Sequence, residues 1–462
     1  MDATTLKLVD FAERLRFEDL PPAALEAAKA RILSTLGVSL AAFETESVRS
    51  ARAVAQPVAA GPQATVFGST DKTTPEMAAF VNSAMVRSLD MSDSYVMSAV
   101  SHPADAFPSV LAVAEACRAD GRALLLATAL IYEVQCRFVE VVPYNHHGWD
   151  QTPVVALGAA IGCGRLLGLT REQLAHAISL AVVPNIALNQ TRTGSLSMWK
   201  GMAGPQGARA GVFAVYLAKA GMTGPDGVFE GKFGFWNQLM DGEVFDVPIP
   251  DAAVTLANHT FAVQQTMIKS FPTRFNCQVP VFAAIELRNM LGVRGVRDIA
   301  SLRIESIRKA FERWLDVPEV WNPQTRETAD HSLPCTVAMG LLDGTITPKM
   351  METGRYKDAD VLALMRRCSI ELPDEFDAVA PETRRCRLTA TLKNGETRVV
   401  EYRRSLQDDA ADSGWQHAVQ KFGGLTTGLL DPAVQQKLIS LISALDQQQE
   451  VASLVMLTAL KR

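Results

Sequence analysis

Seven histidines occur in the chain, and two of the segments around them could carry acid–base chemistry. In the first, Asp90, Asp93 and Ser94 are spaced i, i+3 and i+4, which on a helix end would turn all three toward one pocket. His102 follows after a short loop that Pro103 bends. A carboxylate brought beside an imidazole tunes both groups for proton transfer. A capping cluster next to a surface histidine fits the same letters. The second segment, Tyr144 to Thr152, holds His146, His147, Asp150 and Gln151. Adjacent imidazoles do not readily face one ion, and no H-x-x-x-H or paired cysteines accompany them, so no metal is expected. A loop entering a helix at Pro153 accounts for this segment equally well.

Cations sit in two further places. Gln190 to Lys200 is a Gly/Ser-containing loop with Arg192 and Lys200, and Lys269 to Gln278 carries Lys269 and Arg274. Such groups suit a carboxylate-bearing ligand, and plain solvated charge is the alternative. Arg326 to Pro334 adds His331, which fits a hinge, a helix cap or a functional role.

The elements that must position these residues are mostly helices. Leu6–Leu15, Ala23–Phe43, Thr74–Met91, Ser109–Ala119, Ala123–Val141, Pro153–Leu167, Arg171–Val183 and Gly204–Lys219 have helical spacing, and many are rich in Ala and Gly. Thr170 with Gln173 forms a capping box. Near residue 265 the pattern changes. Ser301 to Ser306 alternates as a strand does, and Cys386–Leu392 and Thr397–Arg403 flank Asn394-Gly395, a two-residue hairpin signal. Pro432–Leu445 and Glu450–Leu460 read as helices again. The expected fold is mainly α: a large all-helical domain, 1–265 plus 406–462, with an inserted smaller α+β lid domain, 266–405.

Composition removes several function classes. The 462 residues carry 45 basic and 50 acidic side chains, a net charge of −5, so no nucleic acid is expected as partner. No apolar run approaches the length of a membrane span, and the acid-bearing N-terminus has no signal-peptide core, so no membrane contact is expected. Seven cysteines without C-x-x-C point to reduced, buried thiols in a cytoplasmic protein. No phosphate-binding glycine loop and no G-x-S-x-G elbow is present.

Taken in order, Leu89-Asp90-Met91-Ser92-Asp93-Ser94, His102-Pro103, His147-Gly148-Trp149-Asp150, Ser197-Met198-Trp199-Lys200, Gly221-Met222-Thr223-Gly224-Pro225 and Thr325 to Pro334 resemble the MmgE/PrpD family over most of the chain. The resemblance implies a helical domain with a smaller lid, a homodimer, and no metal or organic cofactor. It implies a lyase acting on a small anionic polycarboxylate, 2-methylcitrate dehydratase-like, with isomerase, epimerase or decarboxylase chemistry as the alternative. A catalytically silent carboxylate-binding or partner-binding dimer is the reading from another class.

Carried over by residue, the family's pocket aspartate falls on Asp90, its hydroxyl neighbour on Ser94, its histidine on His102 and its lysine on Lys200. Asp90, His102 and Lys200 are therefore the expected catalytic set, with Asp90 orienting His102. Asp93, Ser94, His147, Asp150, Gln151, Arg192, Lys269 and Arg274 are the expected substrate-binding set. Two departures stand out, because Gln151 (or Asp150) and Asn276 occupy places where family members usually carry histidine.

Overall fold

Small residues let the helices of the first body approach closely. In the helix Ala203–Lys219, a Cβ on Gly211 would lie 2.5 Å from the Ala159 Cβ and 2.7 Å from the Ala156 carbonyl oxygen. That contact seats it against the helix Thr152–Leu166 at a distance no larger side chain permits. Around this pair pack the helices Pro22–Ala41, Pro75–Ser88, Phe107–Ala116, Gly121–Val141 and Arg171–Val182. Thr170 accepts from the Gln173 amide at 3.3 Å, and Gln173 accepts from the Thr170 amide at 3.1 Å, the capping box expected from sequence. The computed structural model describes residues 1–251, 256, 259–311 and 317–461. Among these the fold is mainly α with three small sheets.

Two short pairs come first in the chain: β1 (Ala64–Thr65) with β2 (Lys72–Thr73), and β3 (Asp93–Val96) with β4 (Val100–Ser101). β5 (Met267–Ile268) pairs antiparallel with β3, placing Asp93 opposite Ile268 and Ser94 opposite Met267. β6 (Ile299–Ser306), β7 (Cys368–Glu371), β8 (Thr383–Leu392) and β9 (Thr397–Ser405) form the largest sheet, in the order β7-β6-β8-β9. Only β6 and β7 run parallel. Alternate residues of β8, from Arg384 through Cys386 and Leu388 to Ala390, turn into the core as period-two spacing requires.

The β8–β9 loop is one residue longer than a two-residue hairpin. The Leu392 amide donates to the Glu396 carbonyl at 2.8 Å, so Lys393, Asn394 and Gly395 form the turn. Gly395 takes the left-handed conformation (φ 83°) that such three-residue loops require. The final helix is also shorter than expected, Ala452–Met456. Its approach is used instead to hydrogen-bond elsewhere, with Val451 N donating to Ala119 O and Gly121 N to Gln448 O.

The buried apolar side chains gather in two main cores. One joins the early helices to Phe422, Leu438, Leu445 and Leu454 near the chain end. The other collects Val281, Leu287, Leu302, Ile304, Val337, Leu388 and Ala390, together with Leu196. The main chain passes between them near Thr266 and again near Ser413, and Arg31 binds both points. Its guanidinium donates to Thr266 O (2.5 Å), Thr266 Oγ1 (3.0 Å) and Ser413 O (2.7 Å). All seven cysteines are unpaired, and five are buried. No helix among the described residues is long and apolar enough to cross a membrane.

Candidate active site

The helix Pro75–Ser88 stops short of Asp90, which turns the chain at φ 48°. Asp93 and Ser94 belong to β3, so the expected shared helical face for Asp90, Asp93 and Ser94 does not form. The cause is long-range: pairing with β5 extends a segment whose local spacing also suits a helix. The turn nevertheless buries the Asp90 carboxylate among three cations. Its Oδ1 accepts from Arg87 at 2.5 Å and Lys269 at 2.6 Å, and its Oδ2 accepts from Lys200 at 2.9 Å. Burial opposes the charge, but Arg87, Lys200 and Lys269 hold this carboxyl well below the usual range. Lys200 also donates to both oxygens of Asp330, at 2.9 and 2.8 Å.

His102 is oriented by other groups than Asp90, to which it makes no hydrogen bond among the described residues. Its Nδ1 lies 2.8 Å from the Asp93 carbonyl oxygen and 3.0 Å from Ser94 Oγ. A carbonyl can only accept, so Nδ1 carries the proton and Nε2 carries the lone pair. Burial, with Arg87 and Lys269 nearby, pushes the imidazole well below its ordinary value, so it is neutral at physiological pH. The backbone N–H of His102 donates to Gln151 Oε1 at 3.1 Å, and Gln151 Nε2 donates to Asp105 Oδ2 at 3.0 Å. Asp105 is buried, and burial raises its carboxyl to about 7 against the pull of Arg87.

Of these groups Arg87, Asp90, His102, Gln151 and Lys269 line a cavity of about 290 Å³ walled by residues from 87–192 and 269–331. Five cations, Arg87, Arg192, Lys269, Arg274 and Lys309, line it against two carboxylates, Asp90 and Asp150. Arg192 donates to Asp150 at 3.1 and 3.2 Å and to Lys200 O at 3.2 Å, which ties its loop to the site. Arg274 donates to the Lys309 and Ala310 carbonyls. Burial, with Arg87 and Lys200 beside it, lowers Lys269 to about 8 despite Asp90. Gln151 lines the wall with His102, while Lys200, Asp93 and Ser94 stand behind it. His147 is not brought to the cavity: it pairs with Asp241 at 3.1 Å, and its neighbour His146 lines the mouth instead.

His331 is the residue that sequence reasoning left undecided. It lies just before the helix Leu333–Asp343, whose N-cap Ser332 accepts from Cys335 N. It lines the cavity, with Nδ1 bonded to Asp330 Oδ1 and 3.7 Å from Asp90 Oδ2. Burial, with Lys200 close by, keeps it neutral. Burial beside Asp90 raises Asp330 to about 6. The Asp330-His331 adjacency was legible in the letters, whereas its meeting with Lys200 was not. Asp90, Asp330 and His331 bring three donor atoms within 4.8 Å of one another. The Lys200 ammonium already sits on both carboxylates, so the centre is built around protein cations rather than shaped for a metal ion.

The arrangement can hold a small polyanion, remove a proton through an uncharged imidazole and deliver one from a buried ammonium. Residues 6–248 match the model of the MmgE/PrpD N-terminal domain, and residues 271–447 match that of the C-terminal domain. The second match runs past β9 into the helices Trp415–Thr426 and Pro432–Ser443, whose buried side chains join the first core. The chain is 28% identical to a 2-methylcitrate dehydratase of Cupriavidus necator, over 96% of this chain and 94% of that one. It is 29% identical to the 2-methylcitrate dehydratase of Escherichia coli K12, over 87% and 85% of the two chains. With the cis-aconitate decarboxylase of Mus musculus the identity is 28%, over 83% and 78%.

Proposed function

The chain belongs to the MmgE/PrpD family, and from that premise we propose that it is a dehydratase-like lyase acting on a small di- or tricarboxylate. The observation that carries this reading is a cavity with a cationic excess into which a neutral histidine opens. Arg192 and Arg274 hold substrate carboxylates, from walls of the cavity far apart in sequence. His102 Nε2 takes the proton from the carbon beside a carboxylate. The electron pair left behind forms the carbon–carbon double bond and expels the neighbouring hydroxyl. The Lys269 ammonium, lowered to about 8, protonates that oxygen so that it leaves as water. Asp90 keeps Lys269 aimed and charged.

Steady-state assays on 2-methylcitrate, citrate and aconitate isomers test this. Formation of the unsaturated acid is expected, and absence of turnover on all of them by folded protein defeats the reading. One observation favours a second reaction: two neutral imidazoles, His102 and His331, line a single cavity. Either imidazole can remove the proton, and the Lys269 ammonium that lines the same cavity supplies the one returned to the opposite face, as an epimerase requires. Solvent deuterium incorporation without elimination identifies that reaction.

A homodimer in a cytoplasmic setting completes the proposal. Ile186, Leu188, Met198 and Trp199 are exposed on the same loop that carries Arg192 inward, and the unpaired cysteines fit a reducing compartment. Sedimentation of Leu188→Glu against the parent chain tests the interface; the variant is expected to run as a monomer.

A further inference from the structure

Lys421 does not reach the cavity, yet it holds the backbone beneath it. It lies on the helix Trp415–Thr426, nine-tenths buried, and its ammonium donates to Met91 O at 2.5 Å and Lys269 O at 2.9 Å. Met91 follows Asp90, and two residues later the Asp93 carbonyl fixes the His102 ring. Lys269 supplies the ammonium on Asp90. The two segments also meet through the short β3–β5 pair, the bond from Lys269 N to Ser92 O at 3.3 Å, and the Lys269 ammonium, which donates to Asp90 O at 3.2 Å and Oδ1 at 2.6 Å. An ammonium satisfied by neutral carbonyls is expensive to bury, and an apolar side chain of the same length would fill the space at lower cost. What that side chain could not do is tie the main chain at Met91 to the main chain at Lys269.

We infer that Lys421 is a positioning residue: its two main-chain hydrogen bonds set the spacing between the Asp90–Asp93 turn and the strand leading to Lys269, and hence how the Lys269 ammonium faces the His102 imidazole. The inference rests on the lyase reading above for its effect on turnover.

Its electrostatic surroundings make the role measurable. Asp93 of β3, Lys269 after β5 and His417 on its own helix face it. Burial lowers Lys421 to about 7, against Asp93 and with Lys269 adding to the drop. Lys269 in turn faces Asp90, Arg87 and Lys200.

The test compares Lys421→Met, which keeps the volume and removes the donors, with Lys421→Gln, which keeps N–H donors without the charge. Lys421→Met is expected to lower kcat by about tenfold or more while KM stays within about threefold, the signature of misplaced reacting groups. Lys421→Gln should recover part of kcat. In protein labelled with 13C at lysine Cε, the Lys269 titration, assigned by its loss in Lys269→Met, should move down by roughly half a pH unit as the Lys269 ammonium is displaced from Asp90, because Lys421, lowered to about 7, already carries little charge where Lys269 titrates. A purely structural role would lower the melting temperature and leave that titration in place. Wild-type kcat together with an unmoved Lys269 titration in the folded variant overturns the inference. If Lys421→Met does not fold, Lys421→Gln is judged by the same two readings. If the parent chain turns over none of the acids, the proposed reaction fails, while the titration, recorded without substrate, still decides the role of Lys421.

Discussion

The neutral state of His102 and the lowered value of Lys269 define a window for the proposed chemistry. The base stays unprotonated until pH falls well below 6.5, and the acid keeps its proton up to about 8. Turnover should therefore be flat across neutral pH and fall above about 8, a limb that Lys269→Met should remove along with most of the rate. A pH–rate profile of both proteins checks this. His102→Ala should cost about 10²–10⁴ in kcat with the fold intact, measured at saturating substrate beside near-UV circular dichroism. Asp90 has a second burden, because it is the shared counter-ion of three buried cations. Asp90→Asn should lower stability by about 3–5 kcal/mol in urea unfolding, since it strands charge in the interior.

At the scale of elements, helix contacts and strand pairing decide where those side chains go. The contact between Thr152–Leu166 and Ala203–Lys219 carries Thr152 and Gln151 at one helix start and Ala203 at the other, with Thr152 Oγ1 donating to Ala203 O at 3.0 Å. Gly211→Val places atoms where Ala159 and the Ala156 carbonyl already lie. It should cost about 1–3 kcal/mol and, by parting the helices, reduce turnover as well; thermal unfolding and assay of one preparation check both. Helix positions were readable because apolar spacing and caps such as Thr170 are local. The strand at Asp93 was not, because its reason lies in Met267 and Ile268, far along the chain.

For the whole molecule, the site is walled by two distant parts of the chain, with Arg192 contributed from one and Arg274 from the other. Ligand that bridges these cations should draw the bodies together. Hydrogen exchange across 266–405 should slow on saturating ligand, and unchanged rates would count against closure. Protonation also couples to global stability. Unfolded Lys269 keeps its proton to about 10.5, whereas folded Lys269 loses it near 8. The destabilisation from burying this cation is thus complete below pH 8 and relieved as pH rises toward 10.5. The stability difference between Lys269→Met and the parent chain should shift toward the parent across that window, as measured by urea midpoints at pH 7 and pH 10.

The sequence alone determined the helical majority, the place near residue 265 where its character changes, the β8–β9 hairpin and the residue types needed to grip a polycarboxylate. Those features follow from spacing, capping and turn chemistry within a few residues. Only the tertiary structure decided that Asp90 serves three cations rather than His102, that His147 faces away, and that Asp330, His331 and Lys421 support the site. Those outcomes depend on distant partners, from 94 residues apart for His147 and Asp241 to 330 for Lys421 and Met91. A buried charge takes whichever opposite charge or carbonyl the packed helices bring within reach, and local sequence holds no record of that meeting.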